Sequence, residues 1–433
     1  MSRGMMHPDV TSTPSRFHTM TECAPEAGDA SDWRVMALRD DSVADLSRAL
    51  DQGPPFGVLP TLTAALEESV GATDVALLLA DYGEETLHAV PIEESAAAGD
   101  PVLIDSTPAG SAYRSQTPVL DERLGSATLL LPVTVRSERF GVLSVELSAP
   151  PQNDEVRFLE HVAATLAYVI ASARRYTDLF ERVRRRQHLV LAAEIQWELL
   201  PVLGYEADEF SLGGSLQPAY EVAGDNFDYA VGPSNLTFSL ADGMGHGLRA
   251  ALLTSLCVTA LRNSRRGGGD PLDQVRLANT ALCEQFGGEQ FVTALLVSID
   301  LATAQARAVN AGHTHLWRCR DSDIRRLWIK PDVPLGLFAS SQYSTRDLDL
   351  MRNDRLILVS DGLVDARRSA DARLGEARFE DLLRETSGES PAETVRQLTA
   401  AALDHAGGEL RDDATALCVD WRGRSRPPSD RVG

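Results

Sequence analysis

The chain has 433 residues, enough for two or three domains, and is 43% hydrophobic and 24% charged, an ordinary globular balance. Its 41 Lys and Arg against 63 Asp and Glu leave a net charge of −22, which argues against a nucleic-acid binder and against a polybasic membrane anchor. The 5 cysteines are scattered and form no C-x-x-C pair, so neither a disulfide framework nor a zinc ribbon is indicated, and a reducing cytoplasm fits.

Residues 1–32 are rich in Ser, Thr, Pro, Gly and Asp without a period, which predicts a disordered tail lacking a signal-peptide core. A folded unit is expected over 33–150. DDSVADLSRAL reads as a helix, and LPTLTAALEESVG as a second helix that stops on Gly71. VALLLADY reads as a buried strand, and LLLPVTV and FGVLSVEL around RSER as a hairpin. This helix–strand–loop–hairpin order, with GSAYRSQTPV over 110–119, Leu131-Pro132 and Gly141, resembles a GAF domain, an α/β sensor unit. There is no cysteine between Cys23 and Cys257, which excludes a thioether-linked bilin and a cysteine-ligated cluster in this unit. Its histidines are His88 and His161. A small-molecule ligand, a protein partner or dimerisation alone stay open as its role.

Residues 151–201 are expected to form a helical linker, with one long helix from about Asp154 to Leu200. Val162, Leu166, Val169, Ala173, Tyr176, Phe180 and Val183 alternate steps of four and three, a coiled-coil seam. Two readings stand: a helix packed on its own domain, or a parallel dimer stalk. The apolar run from Val162 to Ser172 is too short for a bilayer, which needs about 20 residues. Arg182, Arg184, Arg185 and Arg186 read as a solvated outer face.

A second unit is expected over 202–422, followed by a flexible tail over 423–433. NLTFSLAD, FVTALLVSID, AQARAVNAG and DRLILVSDG read as strands. GLRAALLTSLCVTALRNS and DPLDQVRLANTALCEQF read as helices, the latter with Asp270 as N-cap and Pro271 at the first helical position. Four acidic motifs punctuate strand ends: AGDNFD (Asp225, Asp228), ADGMGHG (Asp242), SDGLVDA (Asp361, Asp365) and RDDAT (Asp412, Asp413). A single Asp-Gly pair reads as a turn. Clustered carboxylates repel one another unless a cation lies between them. Hard oxygen ligands without Cys or His select Mg²⁺ or Mn²⁺ over zinc.

The ordered set QWELLP, PAYEVAGDNFD, ADGMGHG, FVTALL, NAGH, SDGLVDA and RDDAT, over roughly 194–420, resembles the metal-dependent serine/threonine phosphatases of the PPM type (type 2C). The likeness is to the SpoIIE-like bacterial branch that regulates sporulation and sigma factors. The resemblance implies an overall α+β chain: a GAF-like sensor, a helical linker and an α–β–β–α sandwich. It also implies two Mn²⁺ or Mg²⁺ ions, with Asp242 bridging them, the Gly243 carbonyl ligating one, and Asp225, Asp361 and Asp412 completing the set. A metal-activated water would then attack phosphorus. Adjacent residues of a strand point oppositely, so only one of Asp412 and Asp413 can be a ligand if the segment is extended, and the resemblance favours Asp412.

Asp413, Asp228 and His246 are further candidates. His246 could instead cap the helix from Gly247, His313 reads as a turn histidine, and Thr293 is expected to be buried near the acidic edge. Ala223 stands where the family has Gly, Asp365 where the branch has Glu, and His315 where Pro is common, and no implied ligand is lost. The function implied is a cytoplasmic phosphatase regulated by its GAF-like unit and homodimeric through its linker. Its substrate would be phosphoserine or phosphothreonine on a protein partner, by resemblance an anti-sigma-factor antagonist, with no nucleic acid or membrane involved. A non-catalytic scaffold and a phosphohydrolase of small phosphate esters are the alternatives.

Overall fold

The computed structural model describes residues 40–92, 99–123, 126–185, 190–217, 224–313, 316–369 and 372–423. The tail expected at 1–32, the last ten residues, and Arg186, Ala223 and His315 lie outside them.

The first unit opens with helices α1 (Asp40–Gln52) and α2 (Val58–Val70). As the sequence predicts, α2 ends on Gly71, whose φ of 65° lets its N–H close back on the Leu66 carbonyl. Strands β1 (Ala72–Ala80), β2 (Thr86–Ala89) and β3 (Val102–Leu103), helix α3 (Pro108–Ser115), and strands β4 (Val119–Arg123), β5 (Ser126–Val135) and β6 (Glu138–Leu147) follow. The strands form one antiparallel sheet, ordered β3-β2-β1-β6-β5-β4. The expected hairpin is β5–β6. Arg136 and Ser137 close it at φ 49° and 71°, the handedness a two-residue loop needs to match strand twist. One sheet face packs α3 through Tyr113 and Ala112. The other packs α1, α2 and helix α4 (Asn153–Ala173) through Leu62, Leu66, Leu159, Val162, Leu166 and Ile170.

The single long helix is not formed. After α4 come two shorter ones, α5 (Leu179–Arg184) and α6 (Leu191–Leu199). Val162, Leu166 and Ala173 of the expected seam are buried in α4's own domain, while Tyr176 is 77% exposed. Steps of three and four mark one apolar face, and here a sheet covers that face instead of a second helix. The linker homodimer therefore loses the seam that suggested it. Helix α4 is long and apolar enough to cross a membrane, yet its apolar face is taken up by this core. Arg184 also leaves the solvated face: its Nε donates to the Ala80 carbonyl (3.0 Å) and its guanidinium lies 4.8 Å from the Tyr82 ring centre.

The second unit runs through β7 (Gly204–Glu206), β8 (Phe210–Gln217), β9 (Asp225–Val231), β10 (Asn235–Gly243), α7 (Leu248–Arg266), α8 (Pro271–Phe286), β11 (Val292–Asp300) and β12 (Ala306–Ala311). It continues through β13 (Leu316–Arg320), β14 (Asp323–Arg326), β15 (Thr345–Leu348), β16 (Asp354–Val359), α9 (Asp361–Val364), β17 (Arg367–Ser369), β18 (Ala372–Arg373), α10 (Gly375–Glu385), α11 (Pro391–Ala406) and β19 (Ala414–Trp421). Two large antiparallel sheets result, β15-β12-β11-β10-β9 and β14-β13-β16-β19-β8-β7, with β17 and β18 forming a separate two-stranded ribbon. Phe227, Phe238, Leu240 and Val297 of one meet Phe210, Leu358, Leu417 and Trp421 of the other in a shared core. Leu253, Leu261 and Leu282 of α7 and α8 cover the first sheet from outside, and Phe379, Leu383 and Leu398 of α10 and α11 cover the second. This is the expected α–β–β–α order. Asp270 caps α8 as expected, accepting from the Asp273 N–H (2.9 Å).

Helix α11 also meets the first unit. Arg139 donates to Glu393 (3.2 Å) and Ser390 (2.9 Å), and Arg396 donates to Glu393 (2.9 Å) and to Asp105 (2.7 Å). A cavity of about 570 Å³ lies beside this contact, with Tyr82, Arg139, Arg174, Trp197 and Ala392 on its walls.

Candidate metal centre

Strands β9 and β10 set the first two carboxylates. Along β10, Leu236, Phe238 and Leu240 point into the sandwich, and two residues on, Asp242 keeps that face. Asp225 shares its face with Phe227 and pairs with Asp242 in register. Both carboxylates thus come off the end of a rigid pair of strands at one edge of the sandwich. The opposite sheet supplies the others. β16 ends at Val359, and Asp361 opens α9, while Asp412 and Asp413 precede β19. Ser360 ties these two segments together: its Oγ donates to the Asp413 carbonyl (3.1 Å) and accepts from the Thr415 N–H (3.0 Å). Two glycines are required by close approach. A Cβ at Gly362 would lie 2.1 Å from the Asp413 carbonyl oxygen, and one at Gly243 would lie 2.3 Å from Thr254 Oγ1.

The carboxylates raise one another. Burial, then the Asp242 and Asp413 carboxylates, push Asp225 well above the usual range, and its Oδ2 is buried without a hydrogen-bond partner. Asp242 is pushed up to about 7 by burial and by Asp361, Asp412 and Asp413. Asp412, more open to solvent, is pushed up to about 6 by partial burial and by Asp361, with the Asp413 N–H and His246 acting the other way. Hard anionic oxygens that face one another fit Mg²⁺ or Mn²⁺ and not a thiolate-seeking ion. Among the described residues no three Asp, Glu, His or Cys side chains converge on one point as a single ion's ligands would. The edge is a field of mutually repelling carboxylates, not a closed cage.

The neighbouring acids part company in the bend that precedes β19, where the Asp413 N–H donates to Asp412 Oδ1 (3.0 Å). Asp413 turns inward, buried, and accepts from the Gly224 N–H (2.8 Å), the Asp225 N–H (3.3 Å) and Gln196 Nε2 (2.6 Å). Asp412 faces the edge with Asp361. Asp228 is a correction. Three residues from Asp225 along a strand, it lies on the opposite face, buried against α7, where it pairs with Arg262 and Arg265, each at 2.8 Å. It is not part of the edge. His246 does not cap the helix, since α7 starts after Gly247 with no side-chain cap. Its ring is exposed and close enough to act on Asp412. His313 has the turn role read for it: its ring bonds the Val359 carbonyl (3.1 Å), and Asn310 holds its backbone. Thr293 is only half-buried, in register with Asp242. Gln196 was missed as a site residue. It stands in the QWELLP motif, but nothing local to that motif shows that its amide reaches Asp413.

Residues 232–422 match the family model "Stage II sporulation protein E (SpoIIE)" and residues 57–170 match the GAF domain model. The first span contains Asp242, Asp361 and Asp412 and leaves Asp225 outside. The chain is 23% identical over 236 residues to phosphoserine phosphatase RsbU of Bacillus subtilis (strain 168), covering 54% of this chain and 70% of that protein. It is 25% identical over 249 residues to phosphoserine phosphatase RsbP of the same organism, covering 55% of this chain and 59% of that protein. Among solved structures it is similar to the PP2C phosphatase domain, with a fragment of the regulatory domain, of the cell fate determinant SpoIIE from Bacillus subtilis. That match has a TM-score of 0.43 and 20% identity over 51% of this chain and 66% of that one.

Proposed function

We propose that this chain, which belongs to the SpoIIE-type PP2C phosphatases and carries a GAF domain ahead of the catalytic unit, is a Mn²⁺- or Mg²⁺-dependent protein phosphatase of the cytoplasm. Its substrate would be phosphoserine or phosphothreonine on a regulatory partner, in class an anti-sigma-factor antagonist. The observation that carries this reading is the edge where Asp225 and Asp242 pair in register beside Asp361 and Asp412, with Asp225, Asp242 and Asp412 all pushed above the ordinary carboxylate range.

When bound, divalent ions supply Lewis-acid charge that acidifies water and neutralises the phosphoryl oxygens. The residues that would hold them are Asp225, Asp242, Asp361 and Asp412 through carboxylates and Gly243 through its carbonyl. Asp413 works behind these groups, fixing the backbone of Gly224 and Asp225. A small-molecule ligand of the GAF unit would act through that unit's contacts with α6 and α11.

The retained carboxylates count against a non-catalytic scaffold. The phosphoserine phosphatase names of the relatives favour a protein substrate over small phosphate esters. The test is hydrolysis of p-nitrophenyl phosphate with Mn²⁺, then of a phosphoserine peptide panel. Wild type should turn over, and Asp242→Asn or EDTA should abolish it. A wild type silent with Mn²⁺ on both p-nitrophenyl phosphate and a phosphorylated antagonist would leave the scaffold reading in its place.

A further inference from the structure

Helix α6 touches both units with neighbouring residues. On one side the Trp197 ring packs on Tyr82 of the GAF domain, centroids 4.4 Å apart, and Glu194 pairs with Arg185. On the other side Gln196, 2% exposed, sends its Nε2 to the Asp225 carbonyl (2.9 Å) and to the Asp413 carboxylate (2.6 Å). Adjacent helical positions lie about 100° apart, so a rotation or shift of α6 that moves Trp197 on the GAF domain moves Gln196 on the acidic edge.

What Gln196 holds is backbone that carries proposed ligands. The carboxylate it bonds also accepts the Gly224 and Asp225 N–H groups, and the Gly224 carbonyl accepts from the Gly243 N–H (2.9 Å). One amide thus sits behind both Asp225 and Gly243. Burying it is costly: Gln196 Oε1 has no hydrogen-bond partner, so the side chain is kept in place by its donor end alone. An apolar residue of the same size would pack there without that cost.

We propose that Gln196 is a positioning residue. It fixes the Asp413 carboxylate and the Asp225 backbone, and through α6 it links the GAF domain to the cation affinity of the acidic edge. This rests on the metal-centre reading above.

The full-length chain tests it, with Mn²⁺ binding followed by calorimetry beside the Mn²⁺ dependence of p-nitrophenyl phosphate hydrolysis. Gln196→Leu keeps the size and removes the donor. It should weaken Mn²⁺ binding about tenfold, the worth of one hydrogen bond to a charged group, and leave kcat at saturating Mn²⁺ within about twofold. Asp413→Asn should give a shift of similar size, and the double variant should equal the larger single shift instead of their product. Trp197→Ala, which removes the packing on Tyr82, should shift Mn²⁺ affinity in the same direction by less. Unchanged Mn²⁺ affinity in a folded Gln196→Leu, or a loss of melting temperature and kcat alone, overturns the positioning role. Multiplying shifts overturn its action through Asp413, and a silent Trp197→Ala overturns the link to the GAF domain. A wild type that binds no Mn²⁺ brings down the metal reading itself, whereas wild type and Gln196→Leu binding alike bring down only this inference.

Discussion

Arg139, Glu393 and Arg396 gather where the GAF domain meets α11, and Asp225, Asp242, Asp361 and Asp412 gather at the edge of the sandwich. The interface side chains and Asp225 are buried, Asp242 is half-buried, and Asp361 and Asp412 lie exposed at the rim, and the two sets are balanced in opposite ways. At the interface every charge meets an opposite one. Burial pushes Glu393 up, but the Arg396 and Arg139 guanidiniums outweigh it and hold the carboxyl below its ordinary value. At the edge the neighbours are other carboxylates, and the same burial leaves Asp225, Asp242 and Asp412 raised. The difference separates structure from chemistry. The interface meets the Glu393 charge with arginines of its own chain. On the proposed reading the edge would be completed by positive charge from outside the chain, as metal-dependent hydrolysis requires.

The largest effect should come from the edge. Asp242→Asn removes one of the four carboxylates proposed to hold the ions, and Mn²⁺-dependent phosphate release should fall about a thousandfold. Residual activity within tenfold of wild type would mean the edge is not the reacting centre. Next comes the interface. Arg139→Ala leaves Glu393 buried with one guanidinium fewer, and urea unfolding should show about 3 kcal/mol lost. An unchanged midpoint would show that the contact between the units is not held by these charges.

The two sites should then separate with pH. Asp242 has its folded pKa raised to about 7, so its contribution to stability is full below the unfolded value near 4 and is lost as pH rises through about 7. In EDTA, wild type should therefore lose roughly 1–2 kcal/mol relative to Asp242→Asn between pH 5 and pH 8. Glu393, with its folded pKa lowered, has the opposite sign: its contribution is present above the ordinary carboxyl pKa and is lost as pH falls below it. Glu393→Gln should flatten the acid limb of a melting-temperature profile and leave the limb near neutral pH alone. Parallel profiles for the two variants would erase the contrast. The smallest effect should be at Asp228, whose charge is already paired. Asp228→Asn should leave Mn²⁺-dependent turnover within about twofold, and a larger loss of turnover would return it to the edge.

What the sequence showed was local. Strand ends, the Gly71 stop, the Asp270 cap and the β5–β6 hairpin are each written in a few consecutive residues, and so is the parity that puts Asp225 and Asp242 on an inner face. The same parity, applied to Asp228, would have turned it away from the edge. The helix from Asp154 to Leu200 was misjudged because one apolar stripe serves a sheet or a second helix equally well, and only the fold decides which covers it. The contacts that span the molecule were not legible: Arg139 and Glu393 are 254 residues apart, and Gln196 and Asp413 are 217 apart. No short motif encodes such a meeting. It exists only once two sheets, a linker helix and a sensor unit have been packed together.

The most direct test of the metal centre is a calorimetric titration of the full-length chain with Mn²⁺ near pH 7.5, wild type beside Asp242→Asn. Saturable binding in wild type that is lost in the variant is the expected result. Equal binding in both, or none in wild type, would contradict the assignment of this edge as a metal centre.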